Sequence, residues 1–148
     1  MKIIRASEKK KIIKQLEKQY GIQKLPYLLL QFGKSKVRAF SGSLSSEELN
    51  VLDNNLRIEN IGLYLYKIHP DGFRFSLDAL HFLQNQINKN ILPLTDKQAL
   101  MWFKGQDLQI EIDRNFKVLK HKHDFIGCGK STGSKITNFL PKERRIKN

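Results

Sequence analysis

Gly129-Lys130-Ser131-Thr132 ends as a nucleotide-phosphate loop ends, with a glycine, a lysine and a hydroxyl residue that could hold phosphates at a helix start. The spacing argues against that chemistry. The loop's first glycine would stand at position 124, which is Asp124, and Gly133 and Pro141 leave no room for the long helix such a loop opens. His121, His123 and Cys128 are natural zinc donors, and alternate residues share a strand face, but no fourth ligand or second cysteine accompanies them. The simpler reading places the histidines with Lys120 and Lys122 on a polar strand and Cys128 as a small buried filler. Cys128 also lacks the glycine-rich βαβ unit that would bring S-adenosylmethionine to a methyl-transfer nucleophile. Asp78 with Asp124, or Asp107 with Asp113, become acid–base pairs only if the fold unites them. His69 and His81 have no chemical partner in the sequence. The expectation is a chain with no catalytic residues, no metal site and no cofactor.

The remaining chemistry is electrostatic. The chain has 148 residues and a net charge of +13. Residues 1–38 carry 11 Lys and Arg against 2 acids, residues 116–148 carry 9 against 2, and the stretch between carries 7 against 10. Charge gathered into two blocks is the footprint of a polyanion-binding surface. Phe125 and Phe139 lie among the basic strands, where a ring can stack on an unpaired base, although core packing is the better reading for them as for Trp102 and Phe103. A single cysteine fits a reducing, cytoplasmic compartment, no apolar run approaches a membrane span, and the first residues do not form a secretory leader.

Positioning these residues requires a series of short elements. Ser7 is placed to cap a helix bearing Ile12, Ile13, Leu16 and Tyr20 on one face and ending at Gly21. The segments 27–32 and 37–40 flank a glycine turn as a hairpin, and Ser45 or Ser46 caps a short helix with Glu47 and Glu48 in its first turn. The apolar run 61–68 is an interior strand, with Tyr64 and Tyr66 on one face, ending at His69-Pro70-Asp71-Gly72. Ser76 caps a helix through Leu77, Leu80, Leu83 and Ile87. A boundary falls at Asn88 to Asn90, dividing an α/β part, 1–89, from a second part, 90–148. There Thr95-Asp96-Lys97-Gln98 forms a capping box for a helix that stops at Gly105, and Leu108, Ile110 and Ile112 alternate as a half-buried strand. Two apolar runs, 116–119 and 125–128, pair across a turn at His123-Asp124, and glycines follow at 127, 129 and 133.

From Ile91 onward this order resembles a PUA domain, the small β pseudo-barrel of pseudouridine synthases and archaeosine transglycosylases. FKGQDLQI, HDFIGCGKS and NFLPKERRI are similar to the PUA-like C-terminal segment of Sun-type RNA cytosine-5 methyltransferases. The overall plan also resembles small two-domain ribosome-assembly factors that carry no catalytic domain. The resemblance implies an α+β fold, a mixed α/β N-terminal domain followed by a PUA-like β pseudo-barrel. It implies an RNA surface on the loop after the helix and on the glycine-bearing and closing strands: Lys104, Gly105, Gln106, Lys130, Lys142, Arg144 and Arg145. Lys120, Lys122 and Lys135 join them as RNA-binding candidates on charge. The methyltransferase domain of that family has no counterpart here, so its substrate does not carry over. The implied function is non-catalytic binding of structured RNA, rRNA ahead of tRNA, in ribosome biogenesis, rRNA processing or RNA modification, with a ribosome-assembly factor or an RNA-modifying enzyme as a further partner. The alternative is an adaptor that docks on such a complex through protein contacts.

Overall fold

The computed structural model describes residues 1–147 as an α+β fold with two sheets. The first sheet is antiparallel throughout, in the order β1 (Lys2–Ile3), β2 (Leu28–Phe32), β3 (Lys36–Phe40), β4 (Leu63–His69), β5 (Gly72–Phe75). The helix α1 (Ala6–Tyr20) packs on it through Leu16 and Tyr20, four residues apart and therefore one above the other. Gly21 ends α1 at φ 87°, and its N–H donates to the Glu17 carbonyl. The start differs from the sequence expectation. Arg5, not Ser7, is the N-cap, and its side chain makes no cap bond.

Ser45 caps α2 (Ser46–Leu56) in a reciprocal capping box with Glu48, and Ser76 caps α3 (Leu77–Leu83) through the Ala79 N–H. The apolar run ending in His69 is an interior strand, with β3 on one side and β5 on the other.

The second sheet runs β6 (Ile91–Pro93), β7 (Phe116–His121), β8 (Asp124–Ser131), β9 (Ile136–Thr137) and curls into a half-barrel. Its β6–β7 pair is parallel and the others are antiparallel. Thr95 opens α4 (Asp96–Phe103) with the expected capping box to Gln98. The β7–β8 turn falls one residue before the predicted place, at Lys122-His123, because Lys122 takes the left-handed conformation at φ 56°. The predicted strand at 108–112 is reduced to one bridge, Leu108 to Ile136. With β9 only two residues long there is no further ladder to join, and Ile110 and Ile112 instead lean on the core beneath. The basic closing segment is a 3-10 turn, Lys142–Arg144, behind Pro141, which has no N–H to give a strand ladder.

Both faces of the second sheet are covered, which is why residues 116–119 of β7 and 125–129 of β8 are buried. Leu119 and Ile126 face a core with Trp102, Leu108 and Ile136. Phe116, Val118, Phe125 and Cys128 face the other way, into the same core as Leu16, Tyr20, Leu65, Phe73 and Leu80. That larger core crosses the segment 88–90.

Candidate nucleic-acid interface

The corner after α4 is built around Trp102. Its side chain is 1% exposed and its indole N–H donates to the Ile126 carbonyl at 3.1 Å, which fixes the helix against β8. Lys104 then caps the helix and Gly105 turns the chain at φ 85°. A Cβ at position 105 would lie 2.6 Å from Arg145 Cδ, so glycine here is what lets the Arg145 side chain lie across the turn. Arg145 Nε donates to the Leu140 carbonyl at 3.0 Å, and the Ile146 N–H to the Phe103 carbonyl at 2.7 Å. Asn138 ties the loop together: its side-chain amide donates to the carbonyls of Trp102 and Gln106, and its N–H donates to Asp107. Lys135 reaches the other oxygen of Asp107 at 3.3 Å.

Lys104, Gly105, Gln106, Lys135, Lys142, Arg144 and Arg145 are thus assembled at one corner, although Lys104 and Lys135 are 31 positions apart in the chain. The remaining candidates lie elsewhere. Lys130 sits on β8 with Nζ 2.6 Å from Asp71 of the β4–β5 turn, and its charge with the hydrogen bond holds that carboxyl below its ordinary pKa. Lys120 lies over the Phe125 ring near the hairpin tip, and Lys122 occupies the turn itself. The strand rise puts that tip about 20 Å from Lys130.

The histidines and the cysteine do not converge. His121 Nε2 contacts Asp96 at 2.7 Å, His123 is exposed in the turn, and Cys128 is buried 3.7 Å from the Tyr20 hydroxyl. Burial pushes the Cys128 thiol above its usual pKa. Among the described residues no group of three or more His, Cys, Asp or Glu is placed to hold a metal ion. Phe116 and Trp102 are core residues. Phe139 is half-buried and lies under Arg74, whose guanidinium carbon is 4.3 Å from the ring centroid.

Arg74 was not singled out from the sequence. It projects from β5 between two buried phenylalanines, and the alternation Phe73-Arg74-Phe75 was its available signal. It lines a cleft of about 180 Å³ between the two sheets, with Tyr64, Asp78, Trp102, Phe139 and Arg144. Arg144 closes one side by donating to both oxygens of Asp78, at 3.1 and 3.3 Å. His69, beside Arg74, has a lowered pKa because of burial and then the charges of Arg74, Lys67 and Lys130, so it accepts the Arg74 Nε–H as a neutral ring.

Residues 89–146 match the family model described as the PUA domain of methyltransferase RsmF. The chain is also similar to proteins named ribosomal RNA small subunit methyltransferase F. One from Aliivibrio fischeri (strain MJ11) is 30% identical over 98 residues, 66% of this chain and 21% of that protein. One from Vibrio cholerae serotype O1 (strain M66-2) is 28% identical over 102 residues, 68% of this chain and 22% of that protein. One from Erwinia tasmaniensis is 30% identical over 102 residues, 68% of this chain and 21% of that protein. Only 60 residues of this chain lie at or after position 89, so these similarities reach well into the first sheet. The chain spans about a fifth of the length of the curated relatives it matches. Over residues 89–146, therefore, the chain is a PUA domain resembling the C-terminal region of the Sun-type RNA methyltransferases.

Proposed function

We propose that this chain binds RNA without catalysing a reaction on it, and that it serves rRNA modification or ribosome assembly in the cytoplasm. The observation that carries this reading is the corner formed by Lys104 to Gln106 and Lys142 to Arg145 on a PUA domain. Lysine and arginine there neutralise phosphates, and Gly105 gives the Arg145 side chain its place across the turn. The rRNA preference rests on the relatives' names, which specify the small ribosomal subunit. tRNA is the second candidate.

The test is titration of labelled small-subunit rRNA fragments, followed by fluorescence anisotropy across a range of KCl. Wild type is expected to show a steep linear loss of log affinity with log salt, and Lys104→Glu/Lys142→Glu/Arg145→Glu a slope shallower by about three. A flat salt dependence in the wild type refutes RNA binding by this route.

One observation favours a protein-docking role beside it. On α2 only Leu49 is buried, whereas Val51 is 60% exposed and lies beside Leu44 and Leu52, with Glu47 and Glu48 one turn before it. An apolar helix face with acidic flanks suits a partner such as an assembly factor or RNA-modifying enzyme.

A further inference from the structure

Three cations stand in direct cross-strand register on the first sheet. Lys36 of β3 is opposite Lys67 of β4, and Lys67 is opposite Arg74 of β5. Directly opposed like charges destabilise a sheet. None of the three has a carboxylate within ion-pair distance among the described residues, although acidic partners hold Lys130, Lys135 and Arg144 nearby. Arg38, the next basic residue along β3, has a buried Nε with no hydrogen-bond partner. A sheet that carries four cations without a carboxylate partner among the described residues is open to an anion that arrives from outside.

The row ends in the cleft. Arg74 is both its last member and part of the cleft wall, with its guanidinium carbon 4.3 Å from the Phe139 ring centroid. The cleft measures about 180 Å³. A cavity of about 150 Å³ holds one benzene ring, so this cleft matches a single six-membered ring more closely than a fused purine. Its walls combine partly exposed aromatic surface from Tyr64 and Phe139 with an acceptor, Asp78, and a donor, Arg144, which pair with each other at the rim. Those are the groups that read an unpaired base by stacking and edge hydrogen bonds. Row and cleft share a residue, so one strand of nucleic acid can occupy both.

We propose that the Lys36–Lys67–Arg74 row and the cleft beside Phe139 form a second RNA site, which takes a single-stranded segment with its phosphates on the row and one unpaired pyrimidine base in the cleft. The proposal rests on the RNA-binding reading above and extends it to the first sheet and to an unpaired pyrimidine. The site adjoins the corner of Lys104 and Arg145, meeting it at Arg144, so one chain grips a structured element and an adjacent single strand together.

The experiment uses the full chain and two probes, an eight-nucleotide oligouridylate and a hairpin from small-subunit rRNA with no single-stranded tail. Lys36→Gln/Lys67→Gln/Arg74→Gln is expected to weaken the oligouridylate at least tenfold, to reduce its salt slope by about two, and to leave the hairpin within twofold. Lys104→Glu/Lys142→Glu/Arg145→Glu is expected to do the reverse. Oligouridylate is expected to bind at least fivefold more tightly than oligoadenylate, and Leu77→Trp, which fills the cleft from its wall, to erase that preference while the phosphate-driven salt slope persists. Thermal unfolding confirms that each variant is folded. Unchanged oligouridylate binding in the row variant, or equal affinity of wild type for oligouridylate and oligoadenylate, overturns the proposal even where the hairpin still binds. Failure of wild type to bind either probe overturns it together with the RNA-binding reading.

Discussion

Gly127 is the position where one methyl group tests the packing of the whole corner. It lies in β8 opposite Leu119, with no positive φ, so alanine there brings no backbone strain and its cost is steric alone. A Cβ at 127 would stand 2.6 Å from Trp102 Nε1 and 2.8 Å from Cζ2, whereas unstrained contacts need about 3.5 Å or more. The indole must move by about 1 Å, in a core where its side chain is 1% exposed. Overpacking of this kind costs about 1–3 kcal/mol. The same shift pulls the indole N–H off the Ile126 carbonyl, and a buried donor left unpaired costs about 1–3 kcal/mol more. With partial relaxation the expected loss for Gly127→Ala is about 3 kcal/mol, a fall in Tm of about 6–12 °C for a chain of this size. Urea unfolding followed by tryptophan emission is the assay, and Trp102 is the single tryptophan of the chain, so the signal reports this site alone. In circular dichroism, Trp102→Phe in the Gly127→Ala background should recover part of the loss, giving a favourable coupling. Destabilisation below about 0.5 kcal/mol, with emission unchanged, would refute the packing argument.

Thr95→Ala removes the side-chain acceptor for the Gln98 N–H and should cost about 1 kcal/mol, read by chemical denaturation; an unchanged midpoint would mean the capping box does not hold α4. Cys128, buried with a raised pKa, should resist iodoacetamide at pH 8 in the folded protein and react on unfolding, as mass spectrometry will show; reaction at the rate of a free thiol counts against its burial. His69 titrates below its ordinary value of 6.5 in the folded state, so the unfolded chain binds the extra proton. Its contribution is intact above pH 6.5 and is lost as pH falls through the folded pKa. His69→Gln should therefore flatten Tm against pH just below 6.5, and a wild-type curve already flat there would contradict the lowered pKa.

Local signals made most elements readable. Thr95 to Gln98, Gly21 and Ser76 each act on hydrogen bonds within a few residues of themselves, and the structure realises all three. The segment 108–112 alternates as a strand should, yet a strand needs a neighbour, and the short β9 supplies only one bridge. The candidate site divides in the same way. Lys104 to Gln106 and Lys142 to Arg145 are drawn together by Asn138 and by the fit of Arg145 over Gly105, close enough in topology for the family resemblance to carry them. The ion pairs of Lys130, Lys135 and Arg144 join residues 59, 28 and 66 positions apart, and no short pattern encodes such partners. Arg74 was hidden for a related reason, since its neighbours Lys36 and Lys67 meet it only after three strands have paired.

The core shared by both sheets gives the molecule the character of a caliper with its jaws fixed. Phe116, Val118, Phe125 and Cys128 interlock with Leu16, Tyr20, Leu65 and Phe73, so the sheets cannot hinge apart without exposing that apolar surface to water. A ligand that touches both sheets meets them at one set separation and spends no free energy aligning them. Its second contact forms at the high local concentration that a short rigid span creates. Selectivity then includes a distance: a strand whose reactive features are spaced too closely or too far apart gains only one of the two contacts, however well each would bind alone.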